Sequence, residues 1–561
     1  MKKAITLIIF SVVLSVNVFC QYRKPLDIPL YLSGNFGELR NNHFHSGIDL
    51  KTQSVINKPV YSIADGYVSR IFVSPSGYGL ALYVTHPQTG QMSVYGHLNR
   101  FTETLAAYVK DKQYEEESFR VNLFPPRELF SVKRGDIIAY SGNSGSSGGP
   151  HVHFEIRDEK TGNIIDPLQY YKADITDNVA PEIRAIAVYP VEGDGMVNNS
   201  SNPLKQTVAR TKAGSYATLR TPVKAWGKIG LAIKAYDRMT RTSNIYGVKQ
   251  IRLYVEDKKV FESVINSYGF DETRMLNSFI DFDDWRRNKS FYMKSFVEPG
   301  NTLPFYKTID NGYITIDKEQ VYNLRYELED IYGNTTVYKF QITGQKQQIN
   351  QRKIGSMYMA WNKDNRYLND EFSLIISAGN LYDNFVFTLT QSASKIYNSD
   401  VFSVNNTYVP FHNKAEIRIK IKTDTLSDKN QYGIVSISNG KENWIGGTYA
   451  NGYIHADVRE IGQKIAVSID TKAPVITPEH PTKWKNDGII KIRIKDDKSG
   501  VASYRGTIDG KFVLFEHDVK SPFYTYKVDP NRLSKGKRQQ FVFTATDACG
   551  NTSEYVSEFD W

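Results

Sequence analysis

Cysteine is nearly missing from this chain: Cys20 and Cys549 are the two in 561 residues. With a leader removed before Gln21, as read below, Cys549 stands alone, and one thiol closes no intramolecular disulfide. A disulfide-stapled scaffold and a cysteine-ligated zinc site are thereby excluded, and Cys549 is left as a small core residue. Long apolar runs are also wanting after the first twenty residues, so no later segment spans a bilayer as a helix and the remainder reads as soluble. A concentrated charge of one sign is missing too. Lys and Arg exceed Asp and Glu by ten, or by eight once Lys2 and Lys3 leave with the leader. So dispersed an excess favours approach to anionic surfaces such as a cell envelope without defining a partner, and nucleic acid is a poor reading for an exported chain.

What is present begins with that leader. Met1-Lys2-Lys3 precedes an apolar run over residues 4–16, and Val18 and Cys20 are small residues at the −3 and −1 positions of a cut before Gln21. Residues 1–20 therefore read as a secretory signal peptide, and the mature protein is expected in the periplasm or cell envelope, or secreted. Acylation of Cys20 is disfavoured by the bulky Phe19 before it.

The length suggests about four domains, and the fold class expected is all-β. Residues 21–172 show short strands between glycine turns, at Val60 to Val68, Ala81 to His86 and Asp136 to Tyr140, and hold six of the ten histidines. The long connection over residues 98–132 reads as a lid or rim beside a cleft, or a passive insert. An internal repeat follows. Asp177-Asn178-Val179-Ala180-Pro181 is echoed by Asp470-Thr471-Lys472-Ala473-Pro474, the strand ending at Asp237 by the one ending at Asp496, and the turn Asp330-Ile331-Tyr332-Gly333-Asn334 by Asp547-Ala548-Cys549-Gly550-Asn551. Each copy reads as an immunoglobulin-like β-sandwich, at 173–345 and 470–561, the first with an insertion over residues 257–320. A polar linker at 345–352 leads into a third β domain, 353–469. His412, His455, His480 and His517 are scattered there without ligand spacing and read as structural or surface groups.

Chemistry concentrates in the N-terminal block. The stretch Gly142-Asn143-Ser144-Gly145-Ser146-Ser147-Gly148-Gly149 runs into Pro150-His151-Val152-His153-Phe154-Glu155-Ile156. In a strand His151, His153 and Glu155 share one face while Val152, Phe154 and Ile156 share the other. The glycine run lacks a following Gly-Lys-Ser/Thr and leads into a strand, which excludes a phosphate loop. Upstream, Phe44-His45-Ser46-Gly47-Ile48-Asp49 places a histidine on a loop and an aspartate at a strand start. Together with His153 these offer two nitrogens and a carboxylate oxygen, a common set for catalytic zinc with a fourth position open to water. Val94-Tyr95-Gly96-His97-Leu98 adds a further histidine at a strand end, so two imidazoles beyond the three ligands are available for proton transfer and oxyanion stabilisation.

In order and character these motifs, with Gly135-Asp136-Ile137-Ile138-Ala139, resemble the lysostaphin/LytM-type zinc metalloendopeptidases, cell-wall enzymes that cut peptide bonds in peptidoglycan. The resemblance covers roughly residues 34–171. It implies an antiparallel β catalytic domain holding one Zn2+ in a groove, with His45, Asp49 and His153 as metal ligands, His151 as general base and His97 as second catalytic histidine. Peptidoglycan peptides become the expected substrate, and envelope proteins candidate partners of the sandwich modules. The long 98–132 connection departs from the family and bears on groove width. His43 and His86 have no ligand role in the pattern and read as strand-end or supporting groups, His86 as one that orients a neighbour. Asn35 stands where relatives offer a blocking ligand, but too little sequence precedes it for such a latch. Two other readings stay open: a non-catalytic module that docks wall peptides or activates another hydrolase, and a secreted protease of glycine-rich proteins.

Overall fold

The computed structural model describes residues 22–212, 214–350, 357–533 and 536–561. The leader at 1–20, with Cys20 and the cut before Gln21, lies outside them, as do residues 351 and 352 of the linker. Among the described residues no helix is long and apolar enough to cross a membrane. Cys549 is free and buried.

Residues 22–171 form an antiparallel sheet whose main strands are β1 (Leu32–Gly34), β2 (Ile48–Lys51), β3 (Gly66–Val73), β4 (Leu80–His86), β5 (Gln91–Leu98), β6 (Val121–Leu123) and β7 (His151–Asp158). They lie side by side in the order β1-β2-β7-β5-β4-β3-β6. The alternation read along β7 holds: Val152, Phe154 and Ile156 are wholly buried in the core with Ile48, Leu50 and Tyr95. Register then decides the chemistry. His153 lies opposite Asp49 on β2 and opposite Gly96 on β5. A Cβ at Gly96 would come within 3.3 Å of the His153 Cβ and 3.1 Å of the Tyr78 ring, so glycine leaves the imidazole its room.

Two local expectations change. The single strand expected at Val60 to Val68 is two, Pro59–Tyr61 and β3, because the chain bends at Ser62 to Asp65 and Gly66 presses against the Thr85 carbonyl, 2.1 Å from where a Cβ would stand. The 98–132 connection contains a helix, α1 (Glu103–Glu115), which buries Leu105 and Val109 one turn apart. Its outer face carries the last module of the chain. Arg532 stacks on Tyr114 with 3.6 Å to the ring centre, and Lys110 pairs with Asp529 at 2.6 Å.

Beyond Asp174 long antiparallel strands take over, beginning with Glu182–Val197 and Val223–Tyr236. The insertion in this part reaches back to the N-terminal sheet. Ser267–Tyr268 pairs with Ile164–Ile165, itself paired with β7. Phe44 packs against Tyr268, Phe279 and Phe305 at ring separations of 5.5, 5.6 and 5.8 Å, so one hydrophobic core runs through both parts. An eight-stranded sheet with the bent strands Val401–Lys420 and Tyr453–Ile469 follows. The chain ends in two four-stranded sheets over a core that includes Ile490, Ile492, Phe541 and Phe543.

Because Phe279 closes the core over Phe44, Phe279→Ala is expected to cost about 3–5 kcal/mol. Urea unfolding monitored by the transition that includes the N-terminal part measures it, and an unchanged midpoint would disprove the shared core.

Candidate metal centre

His45, on the loop after the short His43–Phe44 strand, meets Asp49 of β2 and His153 of β7 at one point. His45 Nε2, Asp49 Oδ1 and His153 Nδ1 stand 3.0 Å from one another. The partners of the other ring nitrogens set the tautomers. His45 Nδ1 lies 2.7 Å from the Asn35 carbonyl, and His153 Nε2 lies 2.8 Å from Glu155 Oε1. A carbonyl or carboxylate only accepts, so these nitrogens carry the protons and the other two turn lone pairs toward Asp49. Three electron-rich atoms this close repel one another unless a cation sits among them, and one ion can touch all three at the ~2.0–2.2 Å of zinc–imidazole and zinc–carboxylate bonds. The residues fit a metal.

His97 and His151 border the same point. Their rings are 4.8 Å apart, and the His97 ring is 5.9 Å from that of His153. His97 donates from Nδ1 to the Ser144 carbonyl at 2.9 Å, and His151 from Nδ1 to the Gly149 carbonyl at 2.8 Å, leaving both Nε2 atoms unprotonated. His151 Nε2 comes within 3.4 Å of Asp49 Oδ1. His97 holds a left-handed backbone, φ 56°, unusual for a residue with a side chain and the kind of strain that collects at functional sites.

Electrostatics follow from burial and pairing. Burial pushes the Asp49 carboxyl up, but the His45 charge and hydrogen bonds from His151, His153 and His45 outweigh it and hold Asp49 well below the carboxylate range. Burial lowers His45 despite Asp49 beside it. For His153 burial also pulls down, yet hydrogen bonds to Asp49 and Glu155 prevail and lift it to about 9. Proton and metal therefore compete for His153 Nδ1, and metal binding releases that proton. His97 falls to about 3 through burial and the neighbouring His153 and His151, so it is neutral near pH 7.

Residues 43–114, which include His45, Asp49 and His97, match the model of peptidase family M23. The N-terminal domain is a peptidase family M23 domain. A Haemophilus influenzae protein described as an uncharacterized metalloprotease is 31% identical over 124 residues, 22% of this chain and 20% of that protein. The chain thus spans about a fifth of the curated relative's length. Among solved structures, the catalytic domain of lysostaphin from Staphylococcus simulans is 23% identical, with 25% of this chain and 90% of that one covered at a TM-score of 0.19. A single-residue mutant of the catalytic domain of EnpA, a prophage-encoded M23 protein from Enterococcus faecalis, is 24% identical over 25% of this chain and 89% of that one, at a TM-score of 0.18. Residues 356–470 match a Zu5-like domain.

Several supports of the M23 site carry no motif of their own. Glu155, placed on the working face by alternation but given no role, is wholly buried and also takes hydrogen bonds from Ser46, Tyr78 and Arg157. Arg40 binds Asp49 Oδ2 at 3.0 Å, leaving Oδ1 for the metal. The Asn35 side chain is turned away from the metal point: it pairs with the Gly247 backbone at 2.8 and 2.9 Å, so its carbonyl, not its amide, serves the site by orienting His45. Tyr268 OH donates to the His45 carbonyl at 2.9 Å. Nothing in the sequence near residues 35–49 announces Gly247 or Tyr268. His43 is exposed and holds Asn41, while His86 is buried against Ser93 and the Asp65 carbonyl. The neighbour His86 orients is Ser93, within the sheet.

Loop 142–149 is gripped from the far end of the chain. Gly145 N–H donates to Asp518 Oδ2 at 3.0 Å and Lys520 Nζ to the Asn143 carbonyl at 2.6 Å, either side of the Ser144 that orients His97.

Glu155→Gln removes the charge that fixes the His153 tautomer while keeping the shape. Divalent-metal affinity, read by chelator competition, is expected to fall about 10–100-fold; affinity equal to wild type would show that Glu155 does not orient the ligand.

Proposed function

We propose that this protein is an exported zinc endopeptidase that hydrolyses peptide cross-links of peptidoglycan. The observation that carries the reading is the convergence of five side chains, from three stretches of sequence, on one point with both non-ligand imidazoles presenting unprotonated Nε2 atoms. His45, Asp49 and His153 would hold the ion. Zinc bound there supplies Lewis acidity, which polarises a peptide carbonyl and acidifies a water molecule.

The chain's own residues do the rest. His151 Nε2 takes the proton of the attacking water and passes it to the leaving amine; its Nδ1–H stays on the Gly149 carbonyl, which keeps the ring aimed. His97, neutral and at the opposite side of the His151 ring from the loop, receives or returns a proton at Nε2 and in its protonated form donates to the developing oxyanion. Ser144, clasped between the Asp518 and Lys520 contacts, holds His97 in place for that task. The complete set of five argues against a purely docking or activating module. Peptidoglycan is favoured over glycine-rich protein by the family's cell-wall habit and by the basic excess suited to an anionic envelope.

The mature chain loaded with zinc is expected to release muropeptides from sacculi, detected by mass spectrometry, to stop with chelator and to resume on zinc return. His151→Ala should keep its zinc and lose at least about 1,000-fold in rate, and His97→Ala about 100–1,000-fold. A zinc-loaded His151→Ala variant that digests sacculi like wild type would end the proposal, and cleavage of elastin-like peptides in preference to sacculi would redirect it to the protein substrate.

A further inference from the structure

The two repeat copies share more than strands. Asp177, Asp237 and Asp330 in the first copy, and Asp470, Asp496 and Asp547 in the last, occupy matching motif positions, and in each trio one carboxylate oxygen per residue lies within 4.8 Å of the others. The bracing is the same in both. Asn334 Nδ2 donates to Asp330 Oδ2 and to the Asp177 carbonyl at 2.7 and 3.2 Å, and Asn551 Nδ2 donates to Asp547 Oδ2 and to the Asp470 carbonyl at 2.8 and 3.0 Å. All of these aspartates but Asp496 are buried, and among the described residues no Lys, Arg or His forms an ion pair with any of the six.

A separate observation points to what is held there. Asp177 is 5% exposed, its Oδ1 accepts from the Val179 and Thr240 backbone N–H groups, and its Oδ2 is buried without any hydrogen-bond partner. A buried charged oxygen left unpaired beside two further carboxylates is costly on both desolvation and repulsion, and a cation bound among them removes both costs. The donors are hard oxygens with no nitrogen or sulfur, which disfavours zinc. Oxygens up to 4.8 Å apart can all touch one Ca2+, whose bonds of about 2.3–2.6 Å span roughly 5 Å, whereas Mg2+ demands a tighter octahedron of about 2.1 Å bonds.

We infer that each copy binds one Ca2+ among its three aspartates, where the chain enters the module. Asp177 lies between the Lys172–Asp174 turn that ends the M23 domain and the strand Glu182–Val197; Asp470 directly follows the strand Tyr453–Ile469. The ion ties that entering segment to two turns of the module behind it. Each junction becomes a stiff joint instead of a free linker, and the M23 domain is held at a set angle to the modules.

The test uses the mature chain with its zinc site filled, titrated with Ca2+ by calorimetry and by thermal melting. Wild type is expected to take up two Ca2+ per chain and to melt higher with millimolar Ca2+. Asp237→Asn, which keeps the oxygen that accepts the Arg238 N–H, should take up one, as should Asp496→Asn, which keeps the acceptor for Lys498 and Gly500; the double variant should take up none. Removing one of three like charges should leave the Ca2+-free melting temperature and the zinc content unchanged, which separates a lost ion from a damaged fold. Absence of Ca2+ uptake by wild type, an undiminished count in the double variant, or equal affinity for Mg2+ overturns the inference.

Discussion

Two imidazole nitrogens and one carboxylate oxygen, all carrying lone pairs, are pressed to 3.0 Å of each other inside a protein core. No folding force favours that contact by itself; it has to be imposed. Strand register imposes part of it, by placing His153 across from Asp49. Hydrogen bonds impose the rest, since the Asn35 carbonyl and the Glu155 carboxylate decide which face of each ring is bare. Glu155 in turn is pinned by Ser46, Tyr78 and Arg157, so a buried charge network, not the ligands alone, keeps the cluster armed.

That network does not stop at the domain's edge. Asn35 is held by Gly247 and the His45 backbone by Tyr268, both in the part that follows. With Phe44 sealed by Phe279 and Phe305, the first β-rich module serves as a foundation for the M23 domain and shares its core.

The sequence displayed the working face of β7, the loop-then-strand placement of His45 and Asp49, and the duplicated modules, because each rests on local periodicity or on a repeated turn. Helix α1 was hidden by its modest amphipathicity, with Leu105 and Val109 supplying one short apolar stripe in a polar segment. The supports of the site were hidden for a different reason. Arg40, Tyr78, Gly247 and Tyr268 act through contacts that alternation and spacing cannot encode, and only register and packing bring them to the histidines.

The grip of Lys520 and Asp518 on loop 142–149 joins residues some 373 positions apart. A ribosome delivers the metal ligands long before it delivers that grip, so the histidine-bearing strand folds first and the wall beside His97 is completed last. Catalytic competence is thereby tied to the arrival of the final module, which makes the finished chain, and not the domain that bears the ligands, the smallest unit with a fully braced active site.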